Sequence, residues 1–93
     1  MAHEPAAPPL ITASQLRAAR ALLGIDQRRL AELAGVSLPT IQRMEASAGT
    51  VRGVVGTLMK VVDALEAAGV ELIGNDQPGQ GRGRGVRLKE PDA

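Results

Sequence analysis

The sequence predicts a mainly α-helical fold in which four helices are followed by a short C-terminal pair of β-strands. Apolar residues recur three or four positions apart through most of residues 12–68, which is the spacing of a buried helix face. Capping residues precede these apolar runs and glycines follow several of them. After Gly69 the period changes from helical toward two, because residues 70–73 are apolar and β-prone and residues 86–89 alternate strictly between apolar and basic, which is typical of strands. The length of 93 residues, 44% of them hydrophobic, supports one small domain.

The composition argues against several classes of protein. The chain has no Phe, Tyr, Trp or Cys, so it offers no aromatic platform for RNA bases and no thiol nucleophile. Its one histidine, His3, lies in a segment rich in Ala and Pro. We therefore expect no enzyme, no metal site and no cofactor. We also expect a cytoplasmic protein, because no apolar run approaches the roughly 18 residues of a membrane span and no secretion signal is recognisable.

The first helix is predicted to follow a disordered N-terminal lead. Residues 1–11 form this lead, because three prolines interrupt any periodicity. Thr12 and Gln15 have the spacing of a capping box, and Gly24 is a suitable C-terminal stop. The helix between them has an expected inward stripe of Leu16, Ala19, Ala21 and Leu23.

The most informative segment, residues 26–45, predicts two short helices joined by a tight turn. Asp26 is a suitable N-cap for a helix over residues 27–34. Gly35 ends this helix, because only a residue without Cβ adopts the left-handed conformation at little cost. The turn is therefore short enough to hold the next helix at a fixed angle. The inward positions of the first of these two helices are Leu30, Ala31, Leu33 and Ala34.

The third helix is predicted over residues 38–46. Ser37 is a good N-cap, and Pro39 falls in the first turn, where a backbone N–H has no helical partner to lose. Ile41 and Met44 point back at the preceding helix. The opposite side, which we call the recognition face, consists of Leu38, Pro39, Thr40, Gln42 and Arg43.

A fourth helix and two strands complete the prediction. The helix spans residues 54–68, and the strands span residues 70–73 and 86–89 on either side of a glycine-rich linker. This places a domain boundary after Gly69, with one unit over residues 12–69 and a C-terminal β unit over residues 70–93. The inward positions of the fourth helix are Val54, Leu58, Val61, Val62 and Leu65.

The strand pair predicts a homodimer. A lone two-stranded hairpin is marginally stable in water, and pairing its edge with the same strand of a second copy would extend the sheet across a two-fold axis. A loose tail that merely covers the helices is the alternative. The residues expected at the dimer interface are Val70, Leu72, Ile73, Val86 and Leu88.

The charges are segregated along the chain although the formal net charge is only +1. Residues 12–53 hold six arginines and three carboxylates, residues 54–77 hold one lysine and four carboxylates, and the remaining C-terminal residues are again basic. The basic segment therefore contains both short helices and their turn. Such polarity favours a module that presents one basic face to the phosphates of a nucleic acid.

The combination of Gln27, Ala31, Gly35, Ile41 and Glu45 at these offsets resembles the helix-turn-helix of the lambda-repressor-like, or Cro and XRE, family of DNA-binding proteins. The resemblance covers most of the chain. It implies a lambda-repressor-like helical domain that binds double-stranded DNA in a sequence-specific manner. The implied function is a transcriptional regulator, with a dimeric repressor on a palindromic operator as the leading hypothesis. The predicted strands replace the fifth helix that is common in this family.

The resemblance also assigns roles to residues. Bases are expected to be contacted from the recognition face, where Leu38 and Pro39 favour a thymine methyl and Arg43 either a guanine or a phosphate. Arg20 and Glu45 are expected to form a partly buried ion pair that holds the helices together. Gln27 is expected at the DNA backbone, with a brace against the third helix as its alternative role. The expected phosphate contacts are Gln27, Arg28, Arg29, Ser37, Thr50 and Arg52.

A second functional hypothesis adds a protein partner. The chain would be an antitoxin whose C-terminal segment, residues 78–93, neutralises a toxin while the same helix-turn-helix represses the operon. Both hypotheses contain the DNA-binding module, and they differ in what covers the C-terminal segment.

Overall fold

The computed structural model describes residues 11–48, 51, 55–74 and 83–89, and these residues fold into four helices and one two-stranded sheet. The mainly α-helical fold with a C-terminal strand pair is thereby confirmed. In chain order the elements are α1 (Ala13–Leu23), α2 (Gln27–Ala34), α3 (Leu38–Glu45), α4 (Val55–Ala67), β1 (Val70–Ile73) and β2 (Gly85–Leu88).

The ends of the first three helices follow from local chemistry. The Thr12 Oγ1 accepts from the backbone N of Gln15, and the Gln15 side chain accepts in return from the backbone N of Thr12, so the capping box is complete. Asp26 caps α2 and Ser37 caps α3, each by accepting from a backbone N–H three residues later. Gly35 ends α2 with φ of 69°, the left-handed conformation that the sequence predicts there.

The core is aliphatic and lies between the helices and the inner face of the sheet. Its largest fully buried side chains come from all four helices and from β1. They are Leu16, Leu30, Ile41, Leu65, Val61 and Val70.

Two of the predicted inward residues are exposed instead. Ala21 lies about 200° around α1 from the buried Ala19, because successive residues are about 100° apart. Leu33 lies on the flank of α2, where the buried stripe is narrower than predicted. The prediction was wrong at Ala21 because it grouped residues by apolar character rather than by helical angle, and at Leu33 because it took the i, i+3, i+4 stripe as buried across its whole width.

The fourth helix and the N-terminal lead differ from the prediction at their edges. The four described inward residues of α4 are buried as expected, whereas the predicted first residue, Val54, lies outside the described residues. Ile11 was assigned to the lead, yet it is buried in the core and its carbonyl accepts from the backbone N of Val51. Residues 1–10 lie outside the described ranges. None of the described helices is long and apolar enough to cross a membrane.

The two strands form an antiparallel pair within one chain. Val70 is opposite Leu88, and Leu72 is opposite Val86. Strand β2 begins one residue earlier than predicted, at Gly85, and the pairing continues past its end because the backbone N of Lys89 donates to the carbonyl of Gly69 at 2.7 Å.

The hairpin shares the helical core. Val70 is fully buried, while Leu72 and Val86 pack against the same core from the inner face of the sheet. The boundary predicted after Gly69 therefore separates two parts of one packed unit. Burial also removes Val70 from the surface that a second chain would meet, which corrects its assignment to the dimer interface. Leu88 stays 48% exposed at the rim.

Candidate nucleic-acid interface

Helix α3 is held against the domain by its inward side. Ile41 and Met44 are buried in the core, and the turn before the helix is closed by a hydrogen bond from the backbone N of Val36 to the carbonyl of Ala31. The short connection and the buried side chains leave α3 little freedom to rotate. Its opposite side therefore faces outward at a defined angle.

A cluster of polar side chains from α1 and α2 fixes the C-terminal end of α3. Arg20 donates twice to the carboxylate of Glu45, from Nε to Oε2 at 2.5 Å and from Nη2 to Oε1 at 2.7 Å. Gln27 adds a third donor, with Nε2 at 3.0 Å from Oε1. The Glu45 side chain is only 4% exposed and that of Arg20 is 20% exposed. The pair is thus partly buried, as the resemblance implies for these residues, and the structure shows that it is joined at two points.

Arg17 was not singled out by sequence reasoning, yet it holds the same end of α3. Its Nη1 donates to the backbone carbonyl of Glu45 at 2.6 Å. A guanidinium at this position satisfies one of the unpaired carbonyls that end a helix and interacts favourably with the helix dipole. The signal available in the sequence was its spacing of three from Arg20, which places both arginines on one side of α1.

The ion pair between Arg20 and Glu45 makes the free energy of unfolding depend on pH in the acidic range. Burial by itself raises the pKa of Glu45, but the hydrogen bonds from Arg20 and Gln27 and the charges of Arg20 and Arg17 outweigh it, so the pKa lies below its ordinary value of 4.5. The pKa of Arg20 is raised above its ordinary value, and the largest cause is the hydrogen bond that its side chain donates to Glu45.

We expect the stability advantage of the protein over Glu45→Gln to shrink in acid. The unfolded chain takes up a proton as the pH falls below 4.5, whereas the lowered pKa of Glu45 keeps the folded carboxylate charged. The contribution is therefore complete above this pH and is lost as the pH falls through the lowered pKa. Urea unfolding of both proteins from neutral pH into acid measures the difference. A gap that stayed constant into strong acid would contradict this assignment.

The recognition face contains both exposed and half-buried residues. Pro39, Gln42 and Arg43 are exposed, whereas Leu38 and Thr40 are half-buried. The hydroxyl of Thr40 lies 2.8 Å from that of Ser37 and accepts a long contact, 3.4 Å, from Nη2 of Arg43. Thr40 therefore helps to position Arg43, and the three exposed side chains are the ones most available to a ligand.

The residues predicted to contact phosphates differ in whether their side chains already have partners within the protein. Arg28 is exposed, whereas Arg29 pairs with Glu32 on the surface of α2. The amide of Gln27 donates to Glu45, and the hydroxyl of Ser37 caps α3. The remaining two candidates, Thr50 and Arg52, lie outside the described residues.

Among the described arginines of the basic segment, Arg28 and Arg43 are the two that are exposed without a carboxylate or carbonyl partner. They stand at the start of α2 and in the last turn of α3, on the two helices of the motif. Within the described part of this segment, two cations are thus free to meet phosphates or base edges. Arg17 and Arg20 serve the fold instead.

These features together define a helix-turn-helix module, in which one short helix supports a second whose outer face is free. Residues 16–51 match the family model described as Helix-turn-helix, of the XRE, Cro and C1 type. The matched segment begins within α1, contains α2, the turn and α3, and ends at the buried Val51. This match supports a DNA-binding regulator of the XRE type, and the matched family is one of DNA-binding regulatory domains rather than of enzymes. No curated protein matches the chain.

Proposed function

We propose that the protein is a homodimeric repressor that binds a palindromic operator through the major groove. The main observation that supports this proposal is the arrangement of α3. Its buried side and C-terminal end are fixed, while Pro39, Gln42 and Arg43 are exposed. A major groove about 12 Å wide admits one helix with its side chains. Repression needs no more than occupancy of a site that polymerase must also use.

The proposed division of contacts follows from side-chain chemistry. Arg43 has the fork of donors that matches O6 and N7 of guanine, and among the described residues its guanidinium is bound only by the long contact to Thr40. Pro39 and the half-buried Leu38 offer apolar contact to a thymine methyl. Gln42 is exposed and is assigned to a base edge. Arg28, at the positive end of the α2 dipole, is assigned to a phosphate.

The geometry of the hairpin supports a dimer through β2. Because the N–H of Lys89 bonds to the carbonyl of Gly69 and antiparallel pairs alternate, the backbone groups of Arg87 point toward β1 while those of Val86 and Leu88 point away from it. An antiparallel partner strand centred on Arg87 would engage Val86 and Leu88 from both copies. It would also cover the exposed Leu88 side chain. The ion pair of Arg87 with Glu71 neutralises the cation at the centre of this contact.

A two-fold dimer constrains the operator. Two copies of α3 related by such an axis would enter successive turns of the major groove on one side of the duplex, with half-sites about 34 Å apart. The protein would thus select inverted repeats. Selection from random duplexes, followed by footprinting at several salt concentrations, tests this proposal. Enrichment of single, asymmetric sites would contradict the dimeric part of it.

We expect Arg43→Ala and Arg28→Ala to weaken DNA binding in different ways. Loss of the Arg43 fork should cost about 1 to 3 kcal/mol of discrimination at one base pair of each half-site. Loss of Arg28 should lower affinity evenly across sequences and reduce the slope of log affinity against log salt by about one per copy. Titrations of both variants on the selected operator and on single-base variants measure the two effects. An even loss for Arg43→Ala would identify it as a phosphate contact instead.

The antitoxin hypothesis requires residues 78–93 to bind another protein. Of this segment the structure describes residues 83–89, which include β2, and β2 is paired with β1 and packed against the core through Val86. This pairing within the chain favours the repressor. The rest of the segment lies outside the described residues.

A further inference from the structure

Gln15 is a buried polar residue that connects the helix-turn-helix to the hairpin. It is 4% exposed, and its side-chain amide makes three hydrogen bonds. Its Oε1 accepts from the backbone N of Thr12 at 3.0 Å, while its Nε2 donates to the carbonyls of Ile73 at 2.9 Å and Gly85 at 3.0 Å. Ile73 and Gly85 lie opposite each other in the strand pair. One amide group therefore reaches both strands.

The capping box explains only half of this arrangement. A capping box needs an acceptor three residues after the N-cap, and glutamate serves as well as glutamine. The two contacts to the hairpin need N–H donors, which a glutamate side chain lacks when ionised. Glutamine supplies the acceptor to α1 and the donors to β1 and β2 from one group. The residue type is thus dictated by the contact to the hairpin.

Helix α1 is consequently hydrogen-bonded both to the hairpin, which forms the proposed dimer contact, and to α3, the proposed DNA-binding helix. At its N-terminal end Gln15 holds the hairpin, and further along Arg17 and Arg20 hold the C-terminal end of α3. Through the hydrogen bonds of these three side chains, α1 links β2 to α3. The direction of the hairpin relative to α3 is therefore set through α1.

We propose that Gln15 is a positioning residue that sets which operator spacing the dimer accepts. This inference rests on the proposed function, in which two copies pair through β2. A change of one base pair moves a half-site by roughly 3.4 Å along the duplex and rotates it by roughly 34°. If the connection between β2 and α3 is rigid, the dimer fits operators with one distance between half-sites. If the hairpin can change its angle to α1, the dimer fits operators with several such distances.

Gln15→Glu separates the two roles of the residue. The carboxylate keeps the acceptor for Thr12 and faces the two strand carbonyls without a donor. Thr12→Ala is the matched control, because it removes the Oγ1 that accepts from the Gln15 backbone but leaves both side-chain donors in place. Gln15→Met, of similar length and uncharged, provides a second variant that lacks the donors. All are made in the full chain.

The probes are duplexes that carry the two selected half-sites with the spacer shortened by one base pair, unchanged or lengthened by one, and a duplex with a single half-site. We expect the unmodified protein and Thr12→Ala to prefer one spacer by about tenfold or more. Both Gln15 variants should bind the three spacers within about threefold of one another and should retain single half-site affinity.

The inference is overturned if either Gln15 variant keeps the original spacer preference. It is also overturned if both variants lose single half-site binding, since Gln15 would then support the helix-turn-helix itself rather than the direction of the hairpin. Failure of the unmodified protein to bind any inverted repeat would instead refute the proposed function. Hydrogen exchange adds an independent readout, because the backbone amides of β2 should exchange faster in both Gln15 variants while those of α3 do not.

Discussion

Replacing Glu45 with alanine is expected to lower the free energy of unfolding by about 3 kcal/mol. The change leaves the guanidinium of Arg20 partly buried and removes the acceptor for three donors, two from Arg20 and one from Gln27. For a domain of this size the loss corresponds to a fall in melting temperature of roughly 15 °C. Thermal unfolding followed by circular dichroism measures it.

Glu32→Ala is the matched control for this experiment. Glu32 pairs with Arg29 on the surface of α2, and the two side chains are 60% and 58% exposed. An exposed pair contributes less than about 1 kcal/mol, so this variant should melt close to the unmodified protein. If the two variants were equally stable, burial of the Arg20–Glu45 pair would not be the reason that α3 is fixed.

Leu88→Pro is expected to convert the proposed dimer to a monomer and to reduce operator affinity by about 100-fold or more. The N–H of Leu88 points away from β1, so its loss leaves the bonds within the hairpin intact. In the dimer the same N–H would donate to the second copy. Analytical ultracentrifugation and titration of the inverted repeat measure the two effects.

Leu88→Ala tests whether the backbone or the side chain carries the dimer contact. It keeps the outward N–H and removes most of a side chain that is 48% exposed in the single chain. We expect a weaker dimer with the same operator preference. A Leu88→Pro variant that remained dimeric would place the contact between copies on another surface and would contradict the proposed role of β2.

The helix-turn-helix was predictable because its determinants are local. Asp26, Gly35 and Ser37 act on backbone groups within a few residues of themselves, so their effects can be inferred without knowledge of the rest of the fold. The pair of Arg20 and Glu45 is not local. It was expected only because the resemblance implied it, and the structure brings the two side chains together.

What escaped prediction depends on how distant segments pack. The spacing of Arg17 from Arg20 indicates a shared side of α1 but not what Arg17 binds, and nothing in the sequence indicates the contacts of Gln15 to both strands. In each case the partner is a backbone carbonyl, which every residue has. The burial of Val70 likewise depends on the hairpin folding back on the helices. An alternating strand pattern indicates a buried face without indicating what covers it.

The central claim is that the outward side of α3 binds the DNA. Mapping the chemical shifts of backbone amides and arginine Nε groups during titration with the selected operator tests it most directly. We expect the largest changes from Thr40 to Arg43, including the Arg43 Nε, and at Arg28, with little change along α4. Changes centred on α4, with α3 unaffected, would contradict the account.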